Sequence, residues 1–340
     1  MENKALWLDG PGKVPRVGPA PVPEPGANEL LIRTKAVPAQ PGEWKVQAGL
    51  IPIQLRYPAI IGVNLSGVVE KVGPGVSRFS PGDRVACNST GTVRNDPRYG
   101  AYQQLVLVPQ ELASKIGDSP FEEAAAISTA YGVMSALFIH LGLERPSSGS
   151  HPVSKGEKVL VWGVSSSFGF FAAQIATMAG YTVVGVASGR HSELANTIGV
   201  AHFADRTSPS VVETLAALGP FKAVLAAADS AEDQVKIGAV LAAQGGGHFL
   251  STMGVRAGVR LPEGVTGSFH QFLDDYLDPE RKEFAEWVWW DFFEDAFAEK
   301  KLKTVPLEVA GGLTKVPEVW NTLREGKASG KRIIIQPDLE

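Results

Sequence analysis

A single cysteine, Cys87, stands in the whole chain, which excludes an intrachain disulfide framework and any cysteine-rich zinc site. Charge of either sign is also missing in excess: 32 Lys and Arg face 36 Asp and Glu, for a net charge of −4. That balance speaks against the basic footprint of a nucleic-acid binder and against a polybasic membrane surface. No apolar run reaches the roughly 18 residues of a membrane span. Met1 to Gly10 lacks the basic-then-apolar order of a secretion signal. The expectation is a soluble, cytoplasmic protein with neither a membrane nor a nucleic acid as partner. Internal repeats are missing too. What the chain does have is apolar mass: 44% of its 340 residues are hydrophobic and 20% charged. That suits a large core and, at about 150 residues per domain, two domains.

The opening stretch, up to about residue 110, reads as short strands and turns. Residues 30–37, 67–72 and 84–87 are β-rich, 101–108 mix apolar and polar positions, and Pro-Gly pairs begin at Pro11, Pro25, Pro41, Pro74 and Pro81. This predicts a small, coiled, mostly antiparallel barrel-like domain. From Pro120 the texture turns helical, with Ser119 expected as cap and Pro120 at the first helical position. A break is expected near Thr129, then a resumption over 132–141 and a polar loop over 144–155.

Strands and helices then alternate. Strands are predicted at 158–161, 181–187, 201–204, 222–227 and 247–251, with helices at 168–178, 193–198, 210–218 and 231–241 between them. Strands that are almost wholly apolar, separated by helices of this length, mean a parallel sheet covered on both faces. After Thr252 the alternation stops. An aromatic helix over 279–300, a β-like 304–307, a helix over 317–325 and a last strand over 332–336 close the chain. Those final strands are too small to bury a core alone and are expected to return to the first domain. The predicted fold is α/β: a β-rich domain over 1–124, a doubly wound parallel-sheet domain over 125–266, and a return over 267–340.

The run Val159-Leu160-Val161-Trp162-Gly163-Val164-Ser165-Ser166-Ser167-Phe168-Gly169 is a strand, a turn of small residues and a helix start. Gly163 lets the chain turn without a Cβ clash, and Ser165, Ser166 and Ser167 bring hydroxyls to the free N–H groups of the helix. Gly169 permits close approach. Placed at the opening of a βαβ run, this is a candidate dinucleotide cradle, although Ser165 stands where the middle glycine of G-x-G-x-x-G would be. The plainer alternative is an ordinary strand-to-helix turn.

The end of the next strand, Val186-Ala187-Ser188-Gly189-Arg190-His191-Ser192, carries no acid to take the ribose hydroxyls of NAD. Ser188, Arg190 and His191 there suit a 2′-phosphate instead, so NADPH is the expected cofactor. Arg206 is placed near the adenine. The alternative is that Arg190 only closes a surface loop. Thr252 and Met253, at the end of a later strand, are expected to bring backbone groups to the nicotinamide, and Phe168 to shield the cofactor.

Over nearly its full length the chain resembles the medium-chain dehydrogenase/reductase superfamily. The most specific stretch is Gly62-Val63-Asn64-Leu65-Ser66-Gly67-Val68-Val69-Glu70-Lys71-Val72-Gly73, continuing to Pro81-Gly82-Asp83-Arg84-Val85. The zinc alcohol dehydrogenases of that superfamily carry a cysteine after an early strand and a Gly-His-Glu. Here Pro38-Ala39-Gln40 and Gly62-Val63-Asn64 stand instead, and the six histidines, at 140, 151, 191, 202, 248 and 270, show no ligand-like spacing. No metal is expected. Within the zinc-free branch, Ala39-Gln40-Pro41-Gly42-Glu43-Trp44-Lys45 resembles the Asn-Pro-x-Asp-x-Lys segment of quinone and enoyl reductases, from which Gln40 and Glu43 depart. Ser128-Thr129-Ala130-Tyr131 resembles the threonine-bearing helix beside the nicotinamide. The Pro-rich opening and Gly330-Lys331-Arg332-Ile333-Ile334-Ile335 look most like the fungal trans-acting enoyl reductases of polyketide biosynthesis, of which the lovastatin enzyme is one.

The resemblance implies a GroES-like catalytic domain, a Rossmann NADPH domain, and a monomer that reduces an α,β-unsaturated thioester on the carrier domain of a partner polyketide synthase. It implies Lys45 and Thr129 as residues at the cofactor and the thioester oxygen, Tyr131 as a candidate proton donor, and Asn64 as a candidate pocket wall. The competing readings are a surface lysine, a hydroxyl bonded only within its own helix, a core tyrosine and a core asparagine. Arg256, Arg260, Pro262 and Glu263 are read as edge residues that discourage sheet-to-sheet pairing. Trp290, Phe293 and Phe297 are read as one helical face, either packing or the wall of a channel or docking surface, with His270 and Phe272 as rim residues. A stand-alone quinone or enone reductase and a non-redox family member that binds a metabolite are the alternative functions.

Overall fold

The computed structural model describes residues 2–51, 53–146 and 152–339. Seven strands come first: β1 (Lys4–Trp7), β2 (Arg16–Pro19), β3 (Glu29–Pro38), β4 (Asn64–Val72), β5 (Arg84–Asn88), β6 (Leu105–Pro109) and β7 (Ala113–Lys115). Six follow: β8 (Lys158–Trp162), β9 (Thr182–Ala187), β10 (His202–Asp205), β11 (Ala223–Ala226), β12 (Gly247–Ser251) and β13 (Val265–Ser268). The last two are β14 (Leu307–Gly311) and β15 (Arg332–Ile335). The chain divides into two compact units, Met1–Thr129 with Asp278–Glu340, and Ala130–Leu277.

The first unit is built around β3. It pairs antiparallel with β4 along one edge and β6 along the other, and its last residues pair with β15. Register shifts at Leu31/Ile32 and Thr34/Ala36 coil the strand so that it serves three partners. At the crossing with β4 only glycine fits, because a Cβ on Gly67 would lie 2.1 Å from Arg33 O. β14 runs parallel to β15, so the end of the chain completes the first sheet, as expected from its small size. The strand read at 304–307 instead begins at Leu307; Pro306, which has no N–H to give a ladder, precedes it and accepts from Arg332 N at 2.9 Å. Helix Phe121–Ser128 lays Ala125 and Ala126 on Ala36 and Ile334, small residues that allow close approach. Pro120 itself holds the cap position in extended backbone with no side-chain cap bond, so Ser119 is not the cap.

The aromatic stretch corrects the predicted helical face. It runs through a 3₁₀ turn at Pro279–Arg281, an α-turn, a π-helical segment at Trp287–Phe292 and a helix at Phe293–Ala298. A π turn adds a residue and rotates everything beyond it. Trp289, not Trp290, therefore joins Phe293 and Phe297 in the core, with Trp289 and Phe293 rings 5.1 Å apart. Trp290 is half-buried under the Arg78 guanidinium, 5.1 Å from its ring.

The second unit is a six-stranded sheet in the order β10-β9-β8-β11-β12-β13, every neighbour parallel. This is the doubly wound order, with its reversal point between β8 and β11. The strand–helix alternation stops at Thr252 as expected, but the sheet does not end there: β13 adds a sixth parallel strand without an intervening helix, and its short Val-Thr-Gly-Ser sequence carries no strand signal. Helices Val211–Leu218 and Ala231–Ala243 cover one face through Val211, Leu215, Ile237 and Val240 on Leu160, Val184, Val224 and Phe249. Each such burial contributes roughly 1.5–3 kcal/mol. The loop read at 144–155 lies partly outside the described residues.

Candidate functional site

The turn after β8 is tightly constrained. Gly163 has φ +85°, and a Cβ there would lie 2.6 Å from Ala228 N and 2.7 Å from Ala228 O, so conformation and space both demand glycine. The N–H groups of Gly163 and Val164 donate to Val186 O at 2.8 and 3.0 Å, tying the turn to β9. Ser166 caps helix Ser167–Met178, its Oγ accepting from Gly169 N at 3.1 Å. A Cβ on Gly169 would lie 2.3 Å from Gly163 O, so the helix start is pressed onto the turn. Ser167 Oγ is buried with no partner, a donor the chain itself does not use. The first N–H groups of a helix lack intrahelical acceptors. With a spare hydroxyl beside them and a floor that excludes side chains, they fit a diphosphate.

At the ends of β9 and β10 positive groups gather. Ser188 leads into a 3₁₀ turn, Gly189–His191, and Arg190 Nε donates to His191 Nε2 at 3.1 Å. Burial, then the Arg190 and Arg206 cations, hold the His191 imidazole below its ordinary pKa. Arg206 N donates to Ala187 O at 2.9 Å, bringing its residue back beside β9. The neighbouring acid, Asp205, accepts from Thr207 N and Oγ1 at 2.9 and 2.8 Å, bonds that keep its pKa low. A Cβ on Gly189 would meet Asp205 Oδ2 at 2.5 Å.

The ends of β11 and β12 hold a network that sequence reasoning missed. The Asp229 carboxylate is fully buried and accepts from Arg256 Nη2 at 2.7 Å, Arg256 Nε at 3.0 Å, Ser251 Oγ at 2.7 Å and Gln234 Nε2 at 3.1 Å. Gln234 also donates to Gly254 O and accepts from Arg256 N, both at 2.8 Å. Arg256 is thus an internal partner and not an edge charge. The segment it clasps contains Thr252, whose Oγ1 donates to Ala227 O at 3.1 Å, and exposed Met253, whose N–H donates to Ser251 Oγ at 3.1 Å.

Phe168 stacks on Phe272 at 5.5 Å, and both rings lie against Gly132, where a Cβ would be 3.1 and 3.2 Å from them. His270 stacks on His140 at 3.8 Å. Tyr131 accepts the Tyr276 hydroxyl on its carbonyl at 2.6 Å; burial raises its phenol pKa, with Asp274 adding to the effect.

In the first unit, the residues singled out from sequence meet one polar frame. Gln40 precedes helix Pro41–Gln47, and its N–H donates to Glu43 Oε2 at 3.0 Å. Gln40 Nε2 donates to Asn64 Oδ1 at 2.7 Å, and Asn64 Nδ2 to Asn88 Oδ1 at 3.1 Å; Asn64 is fully buried. Glu43 is 3% exposed. Its Oε2 also accepts from Tyr102 OH and from Trp320 Nε1, the latter at 3.3 Å, while Oε1 has no partner. Burial pushes the carboxyl up to about 7, against the pull of those bonds and of Arg332. Arg332 Nη1 donates to Ala39 O at 3.0 Å and Nη2 to Thr129 Oγ1 at 3.3 Å, with Nε unpartnered; burial lowers this guanidinium to about 10. Thr129 Oγ1 in turn donates to Ala126 O at 2.7 Å. Lys45 is half-buried, its Nζ 5.7 Å from the Trp44 ring centre.

In the sequence Glu43 stands out only as a departure from the reductase segment, and Arg332 only as part of the closing strand. A charge opening the apolar run Arg332-Ile333-Ile334-Ile335 was the available signal, since a buried arginine requires partners. Among the described residues no group of three or more His, Cys, Asp or Glu is placed to hold a metal ion; His151 lies outside them.

The model of the alcohol dehydrogenase GroES-like domain matches residues 26–118. A trans-enoyl reductase of Aspergillus japonicus is 31% identical over 340 residues, covering 98% of this chain and 97% of its own. A dehydrogenase of Emericella nidulans is 28% identical over 358 residues, covering 98% and 99%. Among solved structures, the CurK enoyl reductase superposes with a TM-score of 0.76 at 18% identity over 99% of both chains. An alcohol dehydrogenase superfamily protein from Novosphingobium aromaticivorans gives 0.79 at 21% identity over 98% of this chain and 99% of its own. These structural likenesses show a shared fold.

Proposed function

The chain belongs to the medium-chain dehydrogenase/reductase superfamily, in its zinc-free quinone and enoyl reductase branch, and we propose that it is an NADPH-dependent, trans-acting enoyl reductase. The observation that carries the reading is the turn from Gly163 to Gly169, closed to side chains and lined by an unpartnered Ser167 hydroxyl. Ser165, Ser166, Ser167 and the helix N–H groups hold the diphosphate. Ser188, Arg190, His191 and Arg206 take the 2′-phosphate and adenosine, which distinguishes NADPH from NADH because a guanidinium pairs with a phosphate dianion. The Asp229–Arg256 clasp sets the backbone of Thr252 and Met253 for the nicotinamide, and Phe168 walls that end.

When bound, the dinucleotide supplies the hydride that reduces Cβ of an α,β-unsaturated thioester, a proton at Cα completing the saturated product. Lys45 stabilises the negative charge that develops on the thioester oxygen. The Thr129 hydroxyl, anchored on Arg332, orients the reacting groups. Tyr131 is the candidate proton source on the chain, although burial raises its pKa and weakens it as an acid, and solvent is the alternative; Asn64 holds Gln40 in place. The reading includes a polyketide synthase partner whose carrier domain presents the substrate, a monomeric state and a cytoplasmic location.

The test is two measurements on one preparation. Fluorescence titration is expected to give at least tenfold tighter binding of NADPH than of NADH, and Arg190→Ala is expected to reduce that preference. NADPH oxidation is then followed with a crotonyl thioester of N-acetylcysteamine and with a quinone. Turnover of the quinone alone, or no binding of NADPH, overturns the reading.

A further inference from the structure

Nothing in the hydride-transfer chemistry asks for a carboxyl at position 43. Glu43 is nonetheless sealed in the first unit, 3% exposed, where an acid is costly to keep unless its bonds do something an apolar residue cannot. Those bonds are asymmetric. One oxygen, Oε2, takes donors from three separate places in the chain: Gln40 N at the start of its own helix, Tyr102 OH ahead of β6, and Trp320 Nε1 on helix Val316–Arg324. The other, Oε1, is buried without a partner. The Tyr102 and Trp320 rings meet edge to face at 6.0 Å, so the two donors are themselves fixed against each other.

Arg332 works on the same frame from β15. It grips Ala39 O, one residue before Gln40, and Thr129 Oγ1. Ala39 N also donates to Ile333 O at 2.9 Å. The first turn of helix Pro41–Gln47 is therefore held from Glu43 on its inner side and from β15 at its entry. Gln40, Lys45 and Thr129 all hang on this frame, and Asn64 joins it through Gln40.

We propose that Glu43 is a positioning residue for the reduction: its single engaged carboxyl oxygen sets the register of helix Pro41–Gln47, and Arg332 locks Thr129 to the same frame, so that Lys45 and Thr129 keep fixed places. The inference rests on the enoyl reductase reading for its consequence in catalysis but not for its geometry. An amide at position 43 can still offer one oxygen to the same three donors; a methyl group cannot.

Full-length wild type, Glu43→Gln, Glu43→Ala and Tyr102→Phe are compared by amide hydrogen exchange and by NADPH oxidation with the crotonyl thioester. Glu43→Ala is expected to speed exchange across residues 39–48 at least tenfold and to lower kcat at least tenfold, with KM for NADPH changed less than threefold. Glu43→Gln is expected to restore both quantities to within threefold of wild type. Tyr102→Phe, which removes one donor and keeps the ring, moves both in the direction of Glu43→Ala and keeps the test open should Glu43→Ala fail to fold. Unchanged exchange at 39–48 in Glu43→Ala and Tyr102→Phe overturns the proposal, as does a folded Glu43→Ala with wild-type kcat or a Glu43→Gln no better than Glu43→Ala. Wild type that never oxidises NADPH with the thioester sinks the reductase reading alone, because the exchange measurement still decides the frame.

Discussion

Gly163 and Glu43 show how two single residues constrain the two units. At Gly163 a positive φ and the nearness of Ala228 act together. Gly163→Ala is expected to cost about 2–4 kcal/mol, combining the left-handed penalty with overpacking. Urea midpoints measure it, and NADPH affinity should fall with it. At Glu43 the folded carboxyl titrates at about 7 against 4.5 in the unfolded chain. A raised acid favours the protonated native state, so this contribution to stability is complete below 4.5 and is lost as the pH rises through about 7. At ~1.4 kcal/mol per pH unit the loss is on the order of 3 kcal/mol. Glu43→Gln does not titrate, so its stability relative to wild type should rise between pH 4.5 and 7 and then level off. A constant difference from pH 4 to 8, read from urea midpoints, would show that burial does not raise this carboxyl. Neither residue's environment was legible locally. The sequence around Gly163 shows a turn between a strand and a helix, but Ala228 lies some 65 residues away.

The aromatic run from Pro279 illustrates what element-level periodicity can and cannot deliver. Spacings of three and four residues assume a helix of constant pitch, and the π-helical segment Trp287–Phe292 breaks that assumption. Ser114 Oγ donates to Trp289 O, and Lys115 N to Glu294 Oε1 at 3.1 Å, so β7 anchors the run within the π-helical segment and just beyond it. Trp289→Ala is accordingly expected to cost roughly 3–5 kcal/mol, as for other large core aromatics. Trp290→Ala should cost well under half of that in the same denaturation experiment; equal losses would restore the uninterrupted helical face. The alternating elements of the parallel sheet behaved differently. Their strands, predicted to within one or two residues at most ends, are buried on both faces and so read as continuous apolar runs. β13 escaped because an edge strand of four residues, half of them polar, carries no such run.

For the whole chain, the decisive feature is that residues 278–340 complete a unit begun by residues 1–129. β15 supplies an antiparallel partner for the end of β3 and, through Arg332, the link to Ala39 and Thr129. Ending the chain at Leu277 would strip the apolar face of Ala36, Ala125 and Ala126 of Ile334, and remove Trp320 from Glu43. Limited proteolysis of such a truncation is expected to digest residues 1–129 and to leave a resistant fragment close to 130–277. Equal resistance of both portions would mean that the first unit does not need its C-terminal strands.

The amino-acid order alone determined the zinc-free branch, the two kinds of sheet, the glycine-and-serine turn after β8 and the return of the last strands. Each of these is written in short-range patterns: absent ligands, runs of apolar residues, small residues at a strand end. Only the tertiary structure decided that Glu43 meets Tyr102 and Trp320, that Arg332 reaches Thr129, that Arg256 turns inward to Asp229, and that Trp289 takes the core position. Those pairings join residues up to 277 positions apart. A buried polar group is satisfied by whichever partner the folded chain brings within about 3 Å, and no local pattern carries that distance.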